Sequence, residues 1–266
     1  MWQKLIANNI SPLRLLSFLK QELQLPTREC RWLIEHQRCK VNGKLERFGS
    51  TRIVAGMHIL VHREKVPHIS FTKEQVLYED ETLLAYDKPA AISSENLAKL
   101  LQLHLVHRLD RDTTGVILFA KTPDMQQKIE ELFFQREIEK EYLAWVSPPP
   151  IDDSGTVICN MSVEKRREGA VIWGKSEWGK FSKTRWEVVK RKRERALVRC
   201  FPMTGRTHQI RLHMRELGSP IIGDIDYGGK EGPRPLLHAV KLAFVHPVTE
   251  KRLCLLSKDL SFILLH

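Results

Sequence analysis

A chain of 266 residues is long enough for one large core, or for a core with a small appended module. Hydrophobic residues make up 42% and charged residues 28%, mean hydropathy is −0.31, and no apolar run approaches the ~18 residues of a membrane span, so a membrane protein is not expected. Five widely spaced cysteines without a CxxC pair argue against a disulfide framework and a zinc ribbon, and for a reducing cytoplasm.

The net charge of +11 is unevenly spread. Residues 1–65 hold 12 Lys+Arg against 5 Glu and no Asp, a net of +7, while the remainder holds 31 against 27, a net of +4. A basic module on a near-balanced body suits a polyanion such as nucleic acid; a solvated basic surface is the other reading. Met1 to Asn9 lacks a basic segment followed by a long apolar one, so no secretory leader is expected.

Leu15, Leu16, Phe18 and Leu19 form an early apolar face beside Arg14 and Lys20. Thr27 suits a helix cap, with Cys30, Leu33 and Ile34 at helical spacing behind it. Val41-Asn42-Gly43-Lys44 signals a tight turn, and the strand-like stretches Arg52–Val54 and Met57–Val61 follow. Two short helices, an Asn-Gly turn and a small hairpin make a compact domain over 1–65. The pattern Ser11…Arg14-Leu15…Phe18-Leu19…Thr27-Arg28…Val41-Asn42-Gly43…Gly56…Ile59…Val61 resembles an S4 RNA-binding domain. It departs at Gln37-Arg38, where that family usually has glycine, and at Cys39-Lys40. Arg14, Lys20, Arg28, Arg31 and Arg38 are the expected phosphate contacts, an ordinary charged face being the alternative.

Residues 66–73 read as a linker and 74–266 as a second domain. Val76–Glu81 and Leu83–Tyr86 suggest two strands about an acidic turn, closed by Asp87-Lys88-Pro89-Ala90 because proline ends a ladder. After His107-Arg108-Leu109-Asp110 come a loop ending at Gly115 and a buried strand, Val116–Ala120. Thr122-Pro123-Asp124 is a cap, an N1 proline and an acidic first turn, opening a helix with Met125, Ile129, Leu132 and Phe133 on one stripe. Tyr142–Val146, Val157–Val163, Arg185–Val189 and Ala196–Phe201 are strand candidates, with Pro148-Pro149-Pro150 a sharp break. Thr204-Gly205-Arg206-Thr207 opens a helix carrying Ile210, Met214 and Leu217, with Gly218 as its C-cap. Strands and helices mix without regular βαβ alternation, so the fold class is α+β. Trp32, Trp145 and Trp186 are expected in cores.

His107-Arg108-Leu109-Asp110-Arg111-Asp112-Thr113-Thr114-Gly115 packs two carboxylates and two guanidiniums between apolar segments, the setting in which loops carry catalytic groups. A carboxylate flanked by guanidiniums is a stabilised anion able to attack carbon, or one member of a structural ion-pair knot. The block resembles the signature loop of the RluA-type pseudouridine synthases, whose nucleophile maps onto Asp110. Tyr78-Glu79-Asp80-Glu81-x-Leu83-Leu84-Ala85-Tyr86-Asp87-Lys88-Pro89 resembles the family's opening motif. Lys140-Glu141-Tyr142-Leu143-Ala144 resembles its second, and Thr204–His213 with Gly218–Gly228 its third. Ala91 stands where the family commonly has glycine, and Ile92–Val106 lacks its usual His-Pro.

The resemblance implies a pseudouridine synthase fold, a mixed, largely antiparallel sheet with flanking helices behind a small α/β S4-like domain. It implies Asp110, Tyr142 and Arg211 as catalytic residues, with Arg211 pairing Asp110 within ~4 Å. Tyr142 would stack on the uracil and offer a phenol as a base. Arg108 would fill the space left by a flipped uridine, and Arg206 and His208 would contact the substrate. Isomerisation of uridine needs no redox chemistry, so no cofactor is expected. Without cysteine partners for His104, His107, His208 or His213, no metal is expected either. The implied partner is structured RNA, with large-subunit rRNA preferred to tRNA, acted on by a cytoplasmic monomer. The rivals are an inactive RNA-binding protein keeping this fold, and an unrelated carboxylate enzyme such as a glycoside hydrolase using Asp112 as second carboxylate.

Overall fold

The computed structural model describes residues 2–8, 11–63, 70–167 and 170–259. The chain divides into two compact units, Met1–His68 with Lys165–Val171, and Ile69–Glu164 with Ile172–His266. Of the expected linker, 66–69 lie outside the described residues, and Lys73–Gln75 forms a single 3-10 turn. No described helix is long and apolar enough to cross a membrane.

The first unit contains β1 (Trp2–Ile6), β2 (Leu13–Arg14), α1 (Leu15–Leu23), α2 (Thr27–Glu35), β3 (Cys39–Val41), β4 (Lys44–Leu45), β5 (Arg52–Ile53) and β6 (His58–His62). Leu15, Phe18 and Leu19 of α1 and Cys30, Leu33 and Ile34 of α2 close over Ile53, Ile59 and Val61. Asn42 and Gly43, both at positive φ (48° and 80°), make the two-residue β3–β4 turn that their pairing predicted.

Three local readings are corrected in this unit. Thr27 is the first helical residue rather than the cap; Pro26 caps α2 through its carbonyl, which accepts from the Glu29 and Cys30 amides. The two strands expected as a hairpin do not pair with each other. Backbone bonds between Ala7 and the Gly56-Met57 turn anchor that corner, so β5 joins β2 and β6 joins β1 and β3. Trp32 is half-buried, stacked on His36 at 4.6 Å, rather than in the core. Gln37 takes a left-handed backbone (φ 61°) at the place where the resemblance expects glycine.

The second unit contains β7 (Val76–Glu79), β8 (Leu83–Lys88), α3 (Ser94–Leu101), β9 (His104–Leu105), β10 (Thr114–Ala120), α4 (Pro123–Gln135), β11 (Glu139–Val146), β12 (Ser154–Arg167), β13 (Ala170–Lys175), β14 (Lys180–Arg191), β15 (Ala196–Pro202), α5 (Gln209–Glu216), β16 (Leu237–Val245) and β17 (Arg252–Leu256). Eleven strands form one sheet in the order β13-β12-β14-β15-β11-β16-β10-β8-β7, with β17 on β16 and β9 on β10. Among the pairings described residue by residue, all are antiparallel except that between β10 and β16, so the sheet is mixed and largely antiparallel, and the α+β class holds.

At that parallel crossing Gly115 has φ 107°, and a Cβ there would lie 2.1 Å from the Ala239 carbonyl oxygen, so only glycine lets the two strands meet. Thr122 caps α4, its hydroxyl accepting from the Met125 amide, as Thr-Pro-Asp predicted. Trp145 and Trp186 are buried in the core between β11, β14, β15 and α5. The short helix α3, capped by Ser93, was not foreseen.

Ala91 carries the strain that its departure from the family pattern suggests, because it sits at φ 69° just before α3. A left-handed non-glycine residue costs ~1–2 kcal/mol. Ala91→Gly is therefore expected to raise unfolding free energy by about 1 kcal/mol in urea titrations, despite the greater freedom glycine gives the unfolded chain.

Candidate active site

Asp110 lies in the loop that joins β9 to β10, and three neighbours clamp this loop through its backbone. The Ser94 hydroxyl donates to the Leu109 carbonyl and accepts from the Leu109 amide, both at 2.9 Å. The Lys88 ammonium, buried at the end of β8, donates to the carbonyls of Arg111 (2.8 Å), Ile92 (2.8 Å) and Pro89 (3.0 Å). The Arg234 guanidinium donates to the Asp112 carbonyl at 3.2 Å. Burial pulls Lys88 down to about 7, against the opposing pull of Asp112 and Asp110. Anchors at residues 109, 111 and 112 bracket Asp110, so its side chain projects from a backbone with little freedom.

The Asp110 side chain is 26% exposed and opens into a cleft of about 730 Å³. The cleft is also lined by Arg108, Phe133, Lys140, Tyr142, Met203, Arg206, His208 and Arg211. The expected contact is present: Arg211 Nη1 lies 3.4 Å from Asp110 Oδ2. Arg211 is itself held more tightly elsewhere. Its Nε and Nη2 donate to the two oxygens of the fully buried Asp224 at 2.7 and 2.8 Å, Nη2 reaches Asp226 at 3.4 Å, and the guanidinium lies 4.8 Å from the Tyr227 ring centre. Burial alone would lower the Arg211 pKa, but Asp224, Asp110 and Asp226 hold it well above its usual value. The fork to Asp224 is short and bidentate, whereas the Asp110 contact is long and single. Asp110 thus faces a fixed positive charge and keeps its other lone pairs toward the cleft.

Tyr142 extends from β11 into the same cleft and is half-buried. Burial and then the Asp110 charge raise its phenol pKa, so it is protonated at neutral pH. His208 is pulled down by burial, with Asp110 acting the other way, and is neutral. The Trp173 amide donates to the Tyr227 hydroxyl at 3.0 Å, and that hydroxyl lies 3.0 Å from His208 Nδ1. If the phenol proton goes to Nδ1, the imidazole proton sits on Nε2, which faces Asp110 Oδ2 at 3.8 Å.

The sequence reading put Thr204–Thr207 at the start of a helix. Instead α5 begins at Gln209, and His208 is its left-handed N-cap (φ 58°). The Gln209 side chain explains this: its Oε1 accepts from the Thr204 hydroxyl and the Arg206 amide, holding 204–208 as a loop over the helix. Arg206 and His208 therefore reach the cleft from that loop, and Arg211 from the first turn of α5. Arg108 stands at the cleft rim, 67% exposed, paired with Glu95 at 3.1 Å. His107 is structural: its Nε2 accepts from the Leu118 amide, and burial lowers it to about 3.

Sequence reasoning did not single out Asp224, Lys88 or Arg234. Asp224 and Lys88 stood inside quoted motifs, but nothing local says which guanidinium or loop each one reaches. Among the described residues no group of three or more His, Cys, Asp or Glu is arranged to hold a metal ion.

The family model for RNA pseudouridylate synthase matches residues 58–216. The chain is 36% identical over 214 residues to ribosomal large subunit pseudouridine synthase C of Escherichia coli K12, covering 71% of this chain and 66% of that protein. It is 34% identical over 213 residues to the Pasteurella multocida protein of the same name, covering 65% of it. The match thus spans slightly under two thirds of these relatives. Identity is 36% over 192 residues to the dual-specificity RNA pseudouridine synthase RluA of Vibrio cholerae, covering 65% of this chain and 77% of that one. Among solved structures, human RNA pseudouridylate synthase domain containing 4 superposes with a TM-score of 0.58 at 28% identity, over 71% of this chain and 90% of that chain. Human RNA pseudouridylate synthase domain containing 1 gives 0.62 at 25% identity, over 70% and 83%. The chain belongs to the RluA-type RNA pseudouridylate synthase family.

Proposed function

We propose that the protein is an RNA pseudouridine synthase, an isomerase that converts uridine to pseudouridine in large-subunit rRNA with Asp110 as nucleophile. One observation carries this reading most directly. A partly exposed carboxylate on a clamped loop faces a buried guanidinium already held in a bidentate pair by Asp224, in a cleft sized for a nucleoside. In the reaction Asp110 takes part in breaking the glycosidic bond, and uracil turns and rejoins the sugar through carbon. Arg211 orients the carboxylate through its 3.4 Å contact. The protonated Tyr142 phenol favours a stacking role against the uracil over service as a ready base. Arg108, at the exposed rim in a surface pair with Glu95, would leave that pair to occupy the space a flipped base leaves, and Arg206 and His208 contact the nucleotide from the 204–208 loop.

The reading extends to the first unit as an S4-like RNA-binding module. Arg14, Lys20, Arg28 and Arg31 are exposed, Arg38 is half-buried, and Arg28 and Arg31 lie three apart on one face of α2. The relatives named for the large ribosomal subunit make rRNA the substrate of choice, with tRNA the second candidate. A cytoplasmic, monomeric protein without cofactor or metal fits this role.

The deciding experiment incubates the chain with large-subunit rRNA and tRNA transcripts and maps pseudouridine at nucleotide resolution. Formation in rRNA is expected; modification of tRNA alone would move the substrate, and none in either would remove the activity. Deleting residues 1–65 removes a net +7 and should weaken RNA binding. The slope of log affinity against log salt should become shallower by about 2 to 4, as three to five fewer phosphates are neutralised. An unchanged slope would show that the N-terminal unit does not touch RNA.

A further inference from the structure

One face of the β12–β14–β15 sheet is sealed and the other is open. Ser182 and Thr184 of β14 point to the sealed face, where their hydroxyls lie 2.9 and 2.8 Å from the two ring nitrogens of His213 on α5. Alternation along the strands puts Phe181, Lys183 and Arg185 on the other face. The register adds Asn160 opposite Phe181, Ile158 opposite Lys183, and Phe201 opposite Arg185. Ile158 is 56% and Phe181 47% exposed, and the Arg185 guanidinium carbon lies over the Phe201 ring, 3.7 Å from its centre.

This face is continuous with the cleft. Met203, 50% exposed and lining the cleft, follows directly on β15, and its amide donates to the Lys183 carbonyl at 2.9 Å. Arg206, also lining the cleft, donates from Nε to the Phe181 carbonyl at 3.2 Å. Lys180, Lys183, Arg185 and Arg206 give the region positive charge, offset by Glu187, which is paired with Arg185 and Arg199 at the far end. An apolar and aromatic surface edged with cations suits unstacked bases on a polyanionic backbone, and fits an all-protein interface less well.

We propose that this face is a track for the single-stranded RNA flanking the target uridine, with a base stacked on Phe181 and phosphates held by Lys183 and Arg206. The inference rests on the reading of the cleft as the uridine site. It is tested on the full chain with a fluorescein-labelled 15-nucleotide oligouridylate, by anisotropy at fixed salt. Phe181 is half-exposed, so its truncation opens no core, and a thermal melt confirms the fold. Phe181→Ala is expected to weaken binding about 5- to 150-fold, the range for one base–aromatic stack, while Phe181→Trp retains affinity and its fluorescence is quenched by the RNA. Unchanged affinity in Phe181→Ala overturns the proposal. So does a self-association seen in sedimentation that Phe181→Ala removes without altering RNA affinity, since the face then receives a second copy of the chain. If the wild type forms no pseudouridine yet Phe181→Ala binds more weakly, the activity reading fails and the track stands. If the wild type is active and Phe181→Ala binds normally, the track fails and the activity stands.

Discussion

Asp110→Asn is expected to lower pseudouridine formation by about 10⁴-fold or more while leaving RNA affinity and stability close to wild type. Removing the nucleophile from a group of residues acting as a unit has effects of this order. The amide keeps the shape of the side chain, and its oxygen can still accept from Arg211, so the 3.4 Å contact survives in weaker form. The carboxylate that the proposed mechanism uses as its nucleophile is lost. The fold does not depend on this charge, because Arg211 is already neutralised by its two short bonds to Asp224. Single-turnover assays with saturating enzyme read the chemical step, and filter binding reads affinity. Turnover within tenfold of wild type would remove Asp110 from the nucleophile's role.

Asp224→Ala is expected to be the most destabilising single change near the cleft, at about 3–5 kcal/mol in denaturant titrations, because breaking a buried pair leaves the other charge without compensation. Asp224 is fully buried and Arg211 only 7% exposed, so neither recovers water when its partner goes. The same change should reduce activity, since Arg211 would turn toward Asp110 and Asp226 and close on the carboxylate that must stay open to the cleft. The double change Asp224→Ala with Arg211→Met removes both buried charges, and should recover part of the stability but none of the activity. A double variant as unstable as Asp224→Ala alone would show that the loss comes from a cavity and not from the orphaned guanidinium.

Much of the second unit was legible locally. Thr122-Pro123-Asp124 announced α4, short apolar runs announced β8, β10, β11 and β15, and Asn42-Gly43 announced a hairpin turn in the first unit. These signals depend on hydrogen bonds and φ angles within a few residues, so neighbours in sequence suffice to encode them. Where distant groups competed, local reading failed. Gln209 captured Thr204 and Arg206 and delayed the start of α5 to its own position. Ala7 drew the Gly56 corner to itself and separated two strands that looked like a hairpin.

The sequence by itself determined the candidate chemistry: an aspartate between arginines, a tyrosine in a strand, an arginine following Thr-Gly-Arg-Thr-His-Gln, and a basic N-terminal module. Only the tertiary structure decided how those groups are held. Asp110 and Arg211 are 101 residues apart in the chain, and they meet because β10, β11, β15 and β16 share one sheet with α5 packed against it. Lys88, Ser94 and Arg234 clamp the Asp110 loop from three separate segments, and Asp224 locks Arg211. Charged and polar side chains have no periodic signature of their own. Their partners are set by which backbone segments the buried apolar residues bring together, and that is a property of the folded core rather than of any window of sequence.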